Sequence, residues 1–336
     1  MIKRKKTRQI NVGGVKIGAG APVSIQSMTK VETSEVKACL SQIKRLEDAG
    51  CEIIRVAVKS IADAESVKSI KRKIGIPIVC DIHFNYRLAL KSIESGADKI
   101  RLNPGNIGTK EEVVSVIRAA KKARIPVRIG VNSGSSSTLV EAALKYIKIF
   151  EAMDFRDIII SLKASDVIRT VEAYRKMSGL CNYPLHLGVT SSGPYDYGIV
   201  KSSIGIGSLL LEGIGDTIRV SLTADPVEEV AAAKRILGSL GIRRFGPEII
   251  SCPTCGRCQV DLGTIVTELE KAVSSKRYPL NAKRPFKIAA MGCEVNGPGE
   301  AKEADIGIAF GKDSGMIFKS GVMLKRVSAK NAVKEI

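Results

Sequence analysis

Three cysteines fall three residues apart in the stretch SCPTCGRCQVDL, at Cys252, Cys255 and Cys258. Thiolates at this spacing open many metal and iron–sulfur sites, because one short turn can bring them round a common centre. The other cysteine in the last hundred residues is Cys293. A structural zinc ribbon would need a second Cys-x2-Cys pair, and there is none. A radical-SAM site would need Cys-x3-Cys-x2-Cys on a barrel loop. The run does resemble the start of a bacterial ferredoxin motif, without the Cys-Pro that ends one. An iron–sulfur cluster is therefore favoured over zinc, and two ligand sets fit. One is Cys252, Cys255, Cys258 and Cys293. The other is Cys252, Cys255 and Cys293 with an oxygen ligand from the following loop, where Glu294 and Glu300 are available. Cys39, Cys51, Cys80 and Cys181 stand apart from one another and are expected to be small buried hydrophobes.

A second constellation is cationic. Arg55 lies within EIIRVAV, Arg101 within DKIRLNPG and Arg128 within IPVRIGVN, and Lys163 ends RDIIISLK. Asp81 and His83 end the run IPIVCDIHF, Asn103 and Asn132 end two others, and His186 lies in YPLHLGVT. These are the only two histidines in the chain. Guanidinium and ammonium groups gathered on neighbouring strands need an anion to neutralise them, and arginine presents a planar fork to phosphate oxygens. A phosphorylated small molecule, in particular a diphosphate, meets that need. The glycine-rich stretches 103–108 and 201–217, and GSSST at 134–138, could add backbone N–H groups.

The elements that must position these groups are legible as alternating runs. Eight short β-branched stretches, at 22–28, 52–58, 76–84, 98–105, 125–132, 156–165, 183–193 and 216–223, alternate with amphipathic segments such as 34–50 and 109–125. Eight strand–helix units predict an α/β fold, a (β/α)8 TIM-type barrel over residues 1–240. Its chemistry is expected at the C-terminal strand ends. Gly and Pro mark a boundary near 240–247. Beyond it, 245–336 reads as a small α+β domain: a helix at about 261–275, strands at 286–293 and 306–312, a loop at 294–305 between them, and a strand pair at 316–327.

Composition bounds the rest. Lys and Arg number 53 against 34 Asp and Glu, a formal net charge of +19. The basic residues are spread along the chain, and aromatics are only 4%. This argues for a polyanionic substrate or an acidic protein partner rather than nucleic acid. No stretch reaches the length of a membrane span, and no apolar region follows the basic MIKRKKTRQI. No membrane partner is expected, and the expected location is cytoplasmic. A zinc-stabilised, phosphate-binding barrel without redox activity is the alternative reading.

The chain resembles the bacterial 4-hydroxy-3-methylbut-2-enyl diphosphate synthase family, the iron–sulfur enzymes of the methylerythritol phosphate route to isoprenoids. The resemblance rests on blocks in the same order from end to end, among them GAPVSIQSMT, DIHFNYRLAL, RLNPGNIG, RIGVNSGS, SLKASDV, HLGVT, CPTCGR and GCEVNGPGEAKEADIGI. It implies a two-domain bacterial form and a [4Fe–4S] cluster held by Cys252, Cys255, Cys293 and Glu300, with Cys258 outside the ligand set. A carboxylate matches a soft centre poorly and can be displaced, which would leave one iron open to substrate. The implied reaction is reductive ring opening and dehydration of 2-C-methyl-D-erythritol 2,4-cyclodiphosphate. Arg55, Arg101, Arg128, Asn132 and Lys163 would grip the diphosphate, with Asp81, His83, Asn103 and His186 lining the same mouth. Glu300, His83 and His186 are the expected catalytic groups. Flavodoxin or ferredoxin would donate two electrons to a head-to-tail homodimer. In one respect the chain departs from the family: Ser191 follows HLGVT where members carry Glu. A serine hydroxyl is not an acid in the useful range. Asp196 or a water must then stand in, or the barrel chemistry is altered.

Overall fold

A computed structural model describes residues 2–107, 109–133, 138–274 and 286–336. The chain divides into two compact units, Met1–Arg243 and Arg244–Ile336.

In the first unit, eight strands run parallel: β3 Ser24–Met28, β4 Ile53–Val58, β5 Ile78–Phe84, β6 Lys99–Ile107, β7 Val127–Asn132, β8 Ile158–Lys163, β9 His186–Leu187 and β10 Thr217–Ile218. They follow the order β8-β7-β6-β5-β4-β3-β10-β9, and a single parallel bridge from Ile160 to Leu185 joins the two ends. The result is the expected barrel. Helices α1 Val36–Ala49 to α8 Pro226–Ser239 alternate with the strands. Their ends follow local rules. In α4, Lys110–Ala123, Thr109 and Glu112 form a reciprocal capping box. Helix α1 closes on Gly50 in the left-handed region, at φ 93°. Its N-cap is Glu35, which makes no side-chain capping bond.

An antiparallel hairpin, β1 Ile10–Val12 with β2 Val15–Ile17, precedes the barrel and was not foreseen. Its Ile10, Val12 and Ile17 pack against Ile53, Val79 and Ile159, which lie at the starts of β4, β5 and β8. The hairpin therefore plugs the N-terminal end of the barrel, and a ligand's access is from the other end.

The second unit holds a five-stranded sheet in the order β11-β12-β13-β14-β15: Glu248–Ser251, Lys287–Met291, Ile306–Phe310, Ser314–Lys319 and Val322–Ser328. The first three are parallel and the last two antiparallel. Side chains alternate across the sheet with a period of two. Ala290, Ile308 and Phe310 face α9, Leu262–Ser274, while Ala289, Met291 and Ala309 face α10, Gly297–Lys302. Helix α10 lies inside the segment read as a loop. Its Pro-Gly content suggested a break, yet proline is tolerated in a first turn. Close approach requires glycine at Gly307, where a Cβ would lie 2.5 Å from the Ala301 carbonyl oxygen. Strand β11, four residues between Gly-Pro and Cys-Pro, was too short to show a period. Among the described residues no helix is long and apolar enough to cross a membrane.

Candidate functional site

The C-terminal mouth of the barrel encloses a cavity of about 120 Å³ lined by five Lys and Arg side chains among polar neighbours. Arg55, Arg101, Arg128 and Lys163 reach it from β4, β6, β7 and β8, and Arg219 from just beyond β10. Asp81 and His83 on β5 and Asn132 on β7 complete the polar wall. The strands place them by alternation. Arg55, Asp81, Arg101 and Arg128 sit on successive strands with inward-facing side chains.

Arg101 is held on four sides. It donates to Asp81 at 2.9 Å, to Nε2 of His83 at 2.8 Å, and to the Gly130 carbonyl and Asn132 at 3.0 and 3.1 Å. Accepting at Nε2 places the proton of a neutral His83 on Nδ1. Burial alone would raise the Asp81 carboxyl. Arg55, 3.7 Å away, and Arg101 reverse this and hold it well below the usual carboxylate range. Arg219 pairs with Glu229 at 3.3 Å, and Glu229 is shared with Lys30. Arg128 is different. It is 1% exposed, and neither its Nε nor its Nη1 has a hydrogen-bond partner. Burial, then the charges of Arg55 and Arg101, press it towards losing its proton, which a guanidinium does not do. Burial, Arg128 and Arg219 act in the same direction on Lys163. Five cations thus face two shared carboxylates, and the excess positive charge is buried.

Asp81 gives a pH-dependent prediction. A carboxyl lowered on folding adds stability above its unfolded value, near pH 4, and that stability is lost as pH falls through the lower folded value. Asp81→Asn is therefore expected to flatten the acid limb of a denaturant-midpoint profile below about pH 4. At neutral pH it should cost about 3 kcal/mol, because two buried guanidinium groups lose their partner. An unchanged acid limb would show that Asp81 is not the holding charge.

Not every expected residue faces the cavity. His186 is fully buried below it, with Nδ1 3.4 Å from the Thr217 hydroxyl, and burial followed by Arg128 and Lys163 keeps it neutral. Asn103 is buried and does not line the cavity. Ser191 is exposed at φ +51° and Asp196 is exposed on α7, Tyr195–Leu211; neither lines it. The glycine-rich stretch 201–217 serves packing instead. Gly205 lies within α7 against Val189, and Gly213 and Gly215 turn the chain at the plugged end. Residues 134–137 and Gly108 lie outside the described residues. Arg219 was missed, although TIRVSLT repeats the Ile-Arg step of EIIRVAV and DKIRLNPG.

The second unit has its own cavity, of about 190 Å³, at the C-terminal ends of β11 and β12. Cys252, Cys255, Cys293 and Glu300 all line it. The backbone N–H groups of Asn296 and Val295, then that of Gly297, lower the Cys293 thiol and favour its thiolate. Burial does the opposite elsewhere, raising Cys39 to about 11 and Cys51 and Cys80 to about 12. Cys181 is only half-buried, unlike those three. Cys258 turns away from the cavity. It sits 3.3 Å from the Val260 carbonyl oxygen, packs into the apolar cluster under α9, and would touch a Cβ at Gly292. Glu294 also turns away, against Gly311. Among the described residues, no three such side chains converge closely enough to hold a single ion. Three thiols and a carboxylate spread round a cavity suit a cluster better, because each iron takes one protein donor.

Fold and site together define a class: a TIM-type barrel with five basic side chains at its mouth, joined to a domain whose cysteines line a cavity. The description GcpE TIM-barrel domain matches residues 7–234, and GcpE protein C-terminal domain matches 248–336. The chain belongs to the GcpE family. It is 55% identical to a 4-hydroxy-3-methylbut-2-en-1-yl diphosphate synthase (flavodoxin) of Thermodesulfovibrio yellowstonii, over 100% of this chain and 98% of that one. It is 52% identical to the protein of the same name from Caldanaerobacter subterraneus, over 100% and 97%. Among solved structures, a dihydropteroate synthase from Stenotrophomonas maltophilia superposes with a TM-score of 0.54 at 12% identity. That match covers 70% of this chain and 98% of that one, and it speaks for the fold alone.

Proposed function

We propose that this chain converts 2-C-methyl-D-erythritol 2,4-cyclodiphosphate to 4-hydroxy-3-methylbut-2-enyl diphosphate by two-electron reductive ring opening and loss of water. Residues 1–240 bind the diphosphate and 245–336 hold a [4Fe–4S] cluster. The observation that carries this reading is the excess of buried cationic charge at the barrel mouth. Buried guanidinium groups without partners are costly unless an anion completes them.

The barrel residues have distinct tasks. Arg101, fixed by Asp81 and Asn132, is pre-organised and meets the diphosphate with little loss of rotamer freedom. Arg128 offers Nε and Nη1 as a fork. Arg55, Lys163 and Arg219 neutralise the remaining oxygens. His83 holds a proton at Nδ1 beside the cavity. His186 and Asn103 act from below, by positioning. In the second domain Cys252, Cys255, Cys293 and Glu300 would hold the cluster. When bound, it would supply low-potential electrons one at a time, two for each ring opened. The relatives' names support flavodoxin as the donor, an acidic partner suited to a chain of net charge +19, with ferredoxin the other choice. A head-to-tail homodimer in the cytoplasm accords with the family resemblance.

Anaerobic purification tests the reading. The expected product is brown, carries about four irons per chain, and turns over the cyclic diphosphate with a low-potential reductant. A colourless protein holding one zinc would overturn it. The ligand set has its own test. Glu300→Ala is expected to keep the cluster absorption yet lower activity about tenfold or more, since even outer partners of a metal site are worth that much. Cys258→Ser should keep both. Loss of the cluster in Cys258→Ser would instead support the four-cysteine set.

A further inference from the structure

Below the mouth cavity, one layer of the barrel core is polar rather than aliphatic. Beneath Arg128 of β7, the buried Lys99 on β6, Gln26 and Ser24 on β3, and His186 and Thr217 on β9 and β10 are each at most 2% exposed. Barrel interiors are ordinarily filled by branched aliphatic side chains. Here a lysine is buried beneath a guanidinium, and none of these residues is a carboxylate. Among the described residues Lys99 has a single hydrogen-bond partner, the Gln26 amide oxygen at a long 3.5 Å. Gln26 Nε2, Ser24 Oγ and His186 Nε2 have none.

The charges round Lys99 all have one sign or are already committed. Arg128 and Arg55 act on it most strongly, and both are cationic. Lys163 and neutral His186 belong to the same coupled set. The nearby carboxylates are taken: Asp81 by Arg101 and Arg55, Glu229 by Arg219 and Lys30. Burial, then Arg128 and Arg55, drive the Lys99 ammonium to give up its proton. A diphosphate seated among Arg55, Arg101 and Arg128 would cancel most of the positive field that Lys99 feels.

We propose that Lys99 is a neutral amine in the free protein and takes up a proton from solvent when a diphosphate seats above it. It is a positioning residue. Its uptake of charge adds a second cation beneath Arg128 only when substrate is present, so the empty barrel is spared one buried charge. The inference rests on the diphosphate reading of the mouth. The chemical event is protonation of Nζ, with buffer as the proton source.

Calorimetry of the full-length protein with the cyclic diphosphate tests this, without reductant, in two buffers of different ionisation enthalpy. Wild type is expected to take up protons near pH 8, and Lys99→Met about one fewer. Lys163 titrates in both proteins, so the difference isolates Lys99. Equal uptake in the two overturns the Lys99 inference while leaving the diphosphate reading intact. No binding by wild type overturns that reading, and the inference with it. A second measurement needs no ligand. A lysine lowered on folding favours the unfolded state as pH falls from its unfolded value, near 10.4, through its folded one. Free wild type should therefore gain stability from pH 7 to about 10 more steeply than Lys99→Met, and parallel profiles would count against a neutral Lys99. Exchange of a buried amine for a methionine of similar length is not expected to prevent folding.

Discussion

Cys293→Ser is expected to empty the cluster site while its domain stays folded. Iron should fall from about four per chain to below about one, and activity should vanish with the visible absorption. The reason is local. Cys293 follows β12 directly, and the backbone N–H groups of residues 295–297 converge on its sulfur. They stabilise a thiolate before any metal arrives. A serine hydroxyl fits the same space, but it remains protonated and is a poor ligand for iron. The sheet and its two apolar layers do not depend on this side chain. A folded, iron-poor, inactive protein is thus expected, checked by anaerobic iron analysis and circular dichroism. Full iron in Cys293→Ser would remove it from the ligand set. A second outcome, unfolding together with iron loss, would show that the metal also sustains the domain, as in small metal-dependent folds.

Arg128→Met should move stability and activity in opposite directions. The free protein has a guanidinium that is 1% exposed with two unsatisfied nitrogens. Replacing it with an apolar side chain of similar reach is expected to leave stability unchanged or raise it by about 1–3 kcal/mol. The same change removes a fork aimed at phosphate. Two charge-assisted hydrogen bonds at about 1.5–3 kcal/mol each correspond to a loss of about 10²- to 10⁴-fold in kcat/KM. The contrast with Asp81→Asn is the point: that variant removes a negative charge from the same cluster and should destabilise. If Arg128→Met lowered the denaturation midpoint and kept activity, Arg128 would be a structural residue and the anion would have to sit elsewhere.

Much of this was legible before any coordinates. The barrel was readable because a parallel strand buried on both faces shows a short β-branched run, and each was followed by a segment of helical period. The mouth was readable because Arg55, Asp81, Arg101 and Arg128 interrupt those runs, and only an anion or counter-charge explains ionic residues there. Arg219 carried the same signal and was passed over. Helix α10 was illegible for the opposite reason: six residues rich in Gly and Pro have no period to detect, and packing of Gly297 and Ala301 on the sheet decides their conformation.

What the sequence by itself determined is the set of chemical types: four thiols and nearby carboxylates in one domain, clustered cations in the other, and the order of strands and helices that carries them. These depend on residue identity and local period, both properties of short stretches. Tertiary structure decided which members of each set meet. Cys258 has the spacing of a ligand, but the core under α9 takes its sulfur. His186 lies in a strand-end run, but β9 places it a layer below the cavity. Lys99 looked like one lysine among many until barrel closure enclosed it among cations with no carboxylate free. Direction, depth and pairing are set by residues distant in sequence, and only the closed fold brings those together.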